Sequence, residues 1–222
     1  LCGHGSEGFV ELETRGDAPP KRRRLSQAER SAGTQARLIE ATIACLHRVG
    51  YSQTTVSMVA EAAGVSRGAL THQYATKVDL MLAVIQAAAE ADVASWGELL
   101  DARPAAEVVG AIPQAMWRAL NQPAMIAVIE IMMATRSDPV LMERLRAIQV
   151  DNDAVAKRLL LERLRAAGVA PAADSEVIYR LFVAVLRGVA IERMSLGERA
   201  RAEEVIVLLG TILAQLLPRA AT

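Results

Sequence analysis

The side chains best equipped to recognise another molecule lie between residues 55 and 77: Thr55, Ser57, Ser66, Arg67, Ala69, Thr71, His72, Gln73 and Lys77. Arg67 and Gln73 carry paired donors and acceptors with the geometry that reads guanine and adenine edges in a major groove. Ala69, Thr71 and His72 share that segment and can face the same groove. Thr55, Ser57, Thr71 and Lys77 suit phosphate contacts, which position a protein without reading sequence. The histidines are His4, His47 and His72, and none has a partner at metal-ligand spacing. His72 therefore reads as a surface group on a nucleic-acid backbone rather than as a general base or ligand.

Such side chains work only if two short helices hold them at a fixed angle. Residues 55–63 and 66–74 read as those helices, joined by Gly64 and Val65. Two helices that cross closely need a small residue near the end of the first, and Ala60 supplies it. The tight turn needs a left-handed backbone four residues later, which Gly64 adopts without a Cβ penalty. Leu70, six positions on, pins the second helix, and Val59 and Val65 complete a small core. An Ala and Gly pair alone would mean little in an alanine-rich chain. The whole constellation inside a basic segment is specific.

On these residues the chain resembles the TetR family of transcriptional regulators. The resemblance is carried by Gly50 and Tyr51, by Thr54, Thr55 and Val56, by the run 60–70, and by His72, Tyr74, Lys77 and Leu80. It implies a homodimer, a recognition helix near residues 66–74, a palindromic double-stranded DNA operator and a ligand pocket in the remaining body. The family usually carries an aromatic residue after the position of Leu70. This chain has Thr71 there.

Composition agrees with a helical reading. Hydrophobic residues make up 52% of 222 residues and aromatics 3%, so the core must come from Ala, Leu, Val, Ile and Met. The net charge is zero, yet residues 21–77 hold nine basic and three acidic residues. A basic amino-terminal segment on an acidic remainder suggests a polyanion-binding head on a body with another task. The basic run 21–24 is either a solvated tail or an arm reaching phosphates or the minor groove. Cys2 and Cys45 lie far apart, which fits a reducing, cytoplasmic setting, with Cys45 as a small buried residue. The longest uncharged apolar run, 205–217, is too short to span a bilayer.

The expected fold is all-α with about nine helices. A disordered tail or non-native remnant covers 1–25, for the chain opens at Leu1 rather than Met. A three-helix helix-turn-helix domain covers 26–76, and a helical ligand-binding and dimerisation body covers 77–222. Beyond residue 104, breaks are expected at Pro113, at 121–123 and at 137–139. A long helix over 138–167 carries Leu141, Leu145, Ile148, Asn152, Val155 and Leu159 on one stripe, which puts Asn152 on a buried face. Glu130 sits in a helix apolar on nearly every side. Buried polar groups of this kind are either satisfied internally or await a ligand. Met116, Met125, Met132 and Met133 cluster nearby, as core or as an adaptable pocket.

Trp117, Glu130, Met133, Asn152 and Phe182 are the expected lining of a site for a small, largely apolar effector, with no cofactor and no metal. The helices over 174–195 and 199–217 are apolar on more than one face, which predicts pairing across a two-fold axis with Leu209 and Leu213 in the seam. Two other readings are a helix-turn-helix protein without a small-molecule ligand and an α-helical enzyme. No Ser/His/Asp set, carboxylate pair or phosphate-cradling glycine loop supports the enzyme.

Overall fold

The computed structural model describes residues 26–169 and 175–217, which leaves the tail 1–25 and the basic run 21–24 outside the described residues. Among them are nine α-helices and no strand: α1 (Gln27–Gln53), α2 (Val56–Ala62), α3 (Arg67–Gln73), α4 (Lys77–Asp101), α5 (Val108–Leu120), α6 (Pro123–Ala134), α7 (Pro139–Ala166), α8 (Ser175–Leu196) and α9 (Ala202–Leu216).

Local sequence explains most of the boundaries. Ser26 caps α1 through a reciprocal box with Glu29, and Thr76 does the same for α4 with Asp79. Asp138 accepts from the Leu141 N–H and Pro139 occupies the first position of α7, where proline's missing donor costs nothing. Gly50, at φ 72°, breaks α1 before its last turn.

Three expectations for the body need correction, two of them at Pro113 and on α7. Pro113 does not break the chain but lies inside α5. It forfeits the hydrogen bond that a residue there would donate to the Val109 carbonyl in the first turn of that helix, while Ile112, Ala115 and Trp117 are buried on either side of it. Their burial outweighs a proline penalty of about 3 kcal/mol. The stripe on α7 also shifts. Leu141 and Leu145 are buried, but Val155 is exposed, and the buried face continues through Leu160 and Leu164. A strict seven-residue repeat drifts about 20° per heptad around a straight helix, so by its second half another set of residues faces inward.

Two clusters of buried side chains form the interior. The first surrounds the helix-turn-helix: Leu38, Leu46, Val59, Ala60 and Leu70 pack with Leu80, Met81, Val84 and Ile85 of α4. It does not stop at residue 76, because Val128 and Ile131 of α6 and Leu141 and Leu145 of α7 belong to it. The second cluster joins Trp96 and Leu100 of α4 with α5, α8 and α9. Leu209 and Leu213 lie in it, buried within the chain rather than in an outer seam. The exposed apolar positions of α9 are instead Val207, Leu208, Ile212 and Leu216.

The contact of α5 with α9 requires the absence of a side chain. A Cβ on Gly210 would stand 2.8 Å from the Gly110 carbonyl oxygen, and a backbone atom cannot move aside as a flexible side chain can. Gly210→Ala should therefore push the helices apart and destabilise the fold by about 1–3 kcal/mol. Urea denaturation followed by circular dichroism would measure this, and an unchanged midpoint would contradict the packing.

Candidate functional site

The first candidate site is the face built by α2 and α3. The turn between them satisfies its own backbone: the Gly64 N–H donates to the Glu61 carbonyl and the Val65 N–H to the Ala60 carbonyl, both at 3.0 Å. This arrangement needs the left-handed residue, and Gly64 has φ 63°. Thr55 caps α2 by accepting from the Met58 N–H, and Ser66 caps α3 by accepting from the Ala69 N–H. Leu70 is fully buried, so the opposite side of α3 is turned outward.

The nine residues predicted for this face are brought together on α2, α3 and the start of α4, but they are not equally available. Ser57, Arg67 and His72 are exposed, and Ala69 is half-buried. Thr71 donates its single hydroxyl proton to the Arg67 carbonyl at 2.8 Å, so it must break that bond before it can donate to a phosphate. Gln73 is tied to α1: its Nε2 donates to Ser31 Oγ at 3.0 Å. Lys77 donates to the Tyr51 carbonyl at 2.7 Å and stands 4.0 Å from the centre of the Tyr51 ring. Arg67 is thus the long charged side chain of α3 presented outward.

Lys77 also belongs to the junction between this head and the body. The Tyr51 hydroxyl donates to Asp138 Oδ2 at 3.0 Å, at the cap of α7. Burial, then the hydrogen bond and charge of Asp138, push the Tyr51 hydroxyl up to about 12. Burial lowers the Lys77 ammonium, and Asp138 partly offsets this. Nearby, Arg144 of α7 pairs with Asp79 at 2.6 Å. Its guanidinium, followed by the Thr76 hydroxyl, holds the Asp79 carboxyl below the usual range.

The second candidate site is a cavity of about 90 Å³ lined by α4, α5, α6, α7 and α8. Ile85, Val93, Met116 and Met125 give it apolar walls, while Asp92, Asn152, Asp153, Tyr179 and Arg187 supply polar groups. Of the predicted ligand residues, Asn152 lines this cavity. Phe182 lines a smaller apolar pocket of about 40 Å³ that shares Met116, Leu160 and Tyr179 with it. The other three stand elsewhere. Trp117 is buried and donates its indole N–H to Glu203 of α9 at 3.0 Å. Glu130 turns to the end of α1, where its carboxylate comes within 3.4 Å of a Cβ position on Gly50. Met133 is 64% exposed.

Sequence reasoning missed Asp92, although its signal was of the kind that found Asn152. Ile85, Ala88, Asp92 and Trp96 share one face of α4 at three- and four-residue spacing, and Asp92 is the polar member. Its Oδ1 is buried without a hydrogen-bond partner. Burial pushes its carboxyl up to about 6, while the Trp96 indole N–H and the Arg187 charge pull the other way. Tyr179 is raised to about 12, by burial first and then by the Asp153 carboxylate.

The raised value has a signed consequence. The folded chain holds the Asp92 proton more tightly than the unfolded chain, so stability falls as pH rises from the ordinary value of 3.8 to about 6 and then levels off. Asp92→Asn should therefore be more stable than the unsubstituted protein by about 1–2 kcal/mol near neutral pH. The gain should vanish near pH 4. Thermal melts across that range would check it, and a gain independent of pH would contradict the assignment.

A family model described as "Bacterial regulatory proteins, tetR family" matches residues 38–84, from the middle of α1 into α4. The HTH-type transcriptional regulator CymR of Pseudomonas putida is 30% identical over 188 residues, covering 84% of this chain and 91% of the relative. Among solved structures, Salmonella enterica GusR superposes with a TM-score of 0.66 at 24% identity, over 87% of this chain and 98% of that one. The complex of SmeT with triclosan gives 0.62 at 20% identity, over 83% and 91%. These two likenesses concern the fold.

Proposed function

The chain belongs to the TetR family of bacterial transcriptional regulators, and from that premise we propose that it is a cytoplasmic homodimeric repressor, released from a palindromic operator by a small effector. It is a DNA-binding regulator and not an enzyme. The observation that carries the rest is the position of the cavity. It opens against α4 at Asp92, and α4 is also the helix whose first turns are buried with α1, α2 and α3. A ligand that displaces α4 there displaces the head. The triclosan held by the SmeT structure supports a small molecule as the kind of signal.

The dimer rests on an unpartnered surface. Val177, Leu181 and Ile191 of α8 are exposed and share one face at helical spacing. On α9, Leu208 is 58% exposed, and Ile212 and Leu216 are exposed as well. Apolar area of this extent on two adjacent helices suits a four-helix seam with a second copy. Two recognition helices related by that axis would meet two half-sites in opposite orientation. Effector and operator then oppose each other with equal coupling: whatever factor the ligand takes from DNA affinity, DNA takes from ligand affinity.

Two outcomes test this reading. Arg67→Ala should cost about 1–3 kcal/mol of operator binding and relax preference at one position of each half-site. Competition binding against single-base operator variants would measure it, and an unchanged preference would remove Arg67 from base recognition. The double substitution Leu208→Glu and Ile212→Glu should give a monomer by light scattering at micromolar concentration, because it buries like charges at the axis. A dimer that persists would place the interface elsewhere.

A further inference from the structure

The polar groups of the cavity specify its ligand more narrowly than its walls do. Asp92 Oδ1 is an acceptor, buried and without a donor, and a buried polar group is ordinarily satisfied. Around it stand the charged and titratable groups of three helices: Asp92 from α4, Asp153 from α7, Tyr179 and Arg187 from α8. Arg187 lies 3.9 Å from Asp153 and also acts on Asp92, so one guanidinium is divided between two carboxylates. The cluster is left with one negative charge in excess. Asn152 adds an amide to the same wall.

Three kinds of ligand head can be compared on these facts. A carboxylate would compete with two aspartates for one arginine and would bring no donor to Oδ1. A purely apolar head would leave the acceptor orphaned while sealing it from water. A protonated amine brings N–H donors and cancels the excess charge, and both effects strengthen where water is excluded. The remaining walls suit a compact apolar substituent, since Met116 and Met125 can adapt to its shape. A groove of about 480 Å³ on the outside of α7 and α8 shares Gln149, Asp153 and Tyr179 with the cavity, which gives such a ligand an approach from solvent.

We propose that the cavity is a site for a small organic cation, an amine on a compact apolar body, whose N–H donors are accepted by Asp92 Oδ1. The proposal rests on the reading that this regulator answers to a small molecule, and it names the chemical class of that molecule.

Three probes with one ring and different heads test it: benzylammonium, benzyl alcohol and benzoate. Each is titrated calorimetrically into the whole protein near neutral pH. Benzylammonium should bind about tenfold or more tighter than either of the others. Asp92→Asn should lose that preference. With the unsubstituted protein, benzylammonium affinity should fall about tenfold between roughly pH 7.5 and pH 5, as Asp92 takes up its proton. That series does not depend on any variant folding. If benzoate or benzyl alcohol binds tightest, the cation proposal is overturned and the small-molecule reading stands. If none of the three binds at millimolar concentration, the cation proposal is overturned as well.

Discussion

Helix α4 is buried in two cores at once, and the rest of the molecule is arranged around that constraint. Its first half supplies Leu80, Met81, Val84 and Ile85 to the cluster that holds the helix-turn-helix. Its second half supplies Trp96 and Leu100 to the cluster shared with α5, α8 and α9. At 25 residues it runs about 37 Å without a break. A close-packed interior resists gradual deformation and favours discrete rearrangement, so a tilt of α4 imposed in the body must reappear at its amino terminus. Asp92, the unsatisfied acceptor, sits between the two buried stretches.

The head is fastened to the body at a second place as well. Tyr51 reaches Asp138 at the corner between α6 and α7, Lys77 closes onto Tyr51, and Arg144 holds the cap of α4 through Asp79. These links are polar and partly solvated, so each contributes little to stability alone. Their use is geometric. They set the angle of α1 and α4 against α7 and can exchange partners without exposing apolar surface. Lys77, the ammonium expected on phosphate, is held by the Tyr51 carbonyl and ring.

Much of this was legible in the sequence, and where it was not the reason is physical. The helix-turn-helix could be read because Ala60, Gly64 and Leu70 each answer a local backbone or packing demand. The breaks expected at 121–123 and 137–139 are found for a similar local reason, since Pro123 and Pro139 each open the helix that follows. Pro113 misled because the rule against interior proline concerns one lost bond, whereas its helix is held by burial. Leu209 and Leu213 could not be separated from Leu208 and Ile212 by sequence. An apolar helix covered on one side by its own chain looks the same as one covered on both. Glu130 and Trp117 were expected to line the ligand site, and only tertiary structure reveals that one turns to Gly50 and the other finds Glu203.

The central claim is that two copies of α3, related by the axis through α8 and α9, read DNA together. Repeated selection of bound duplexes from a random-sequence pool tests it most directly, because symmetry in the protein must be copied into the site it prefers. The account predicts enrichment of an inverted repeat whose half-sites share one sequence at one fixed separation. A single unrepeated element, or no enrichment over the starting pool, would contradict it.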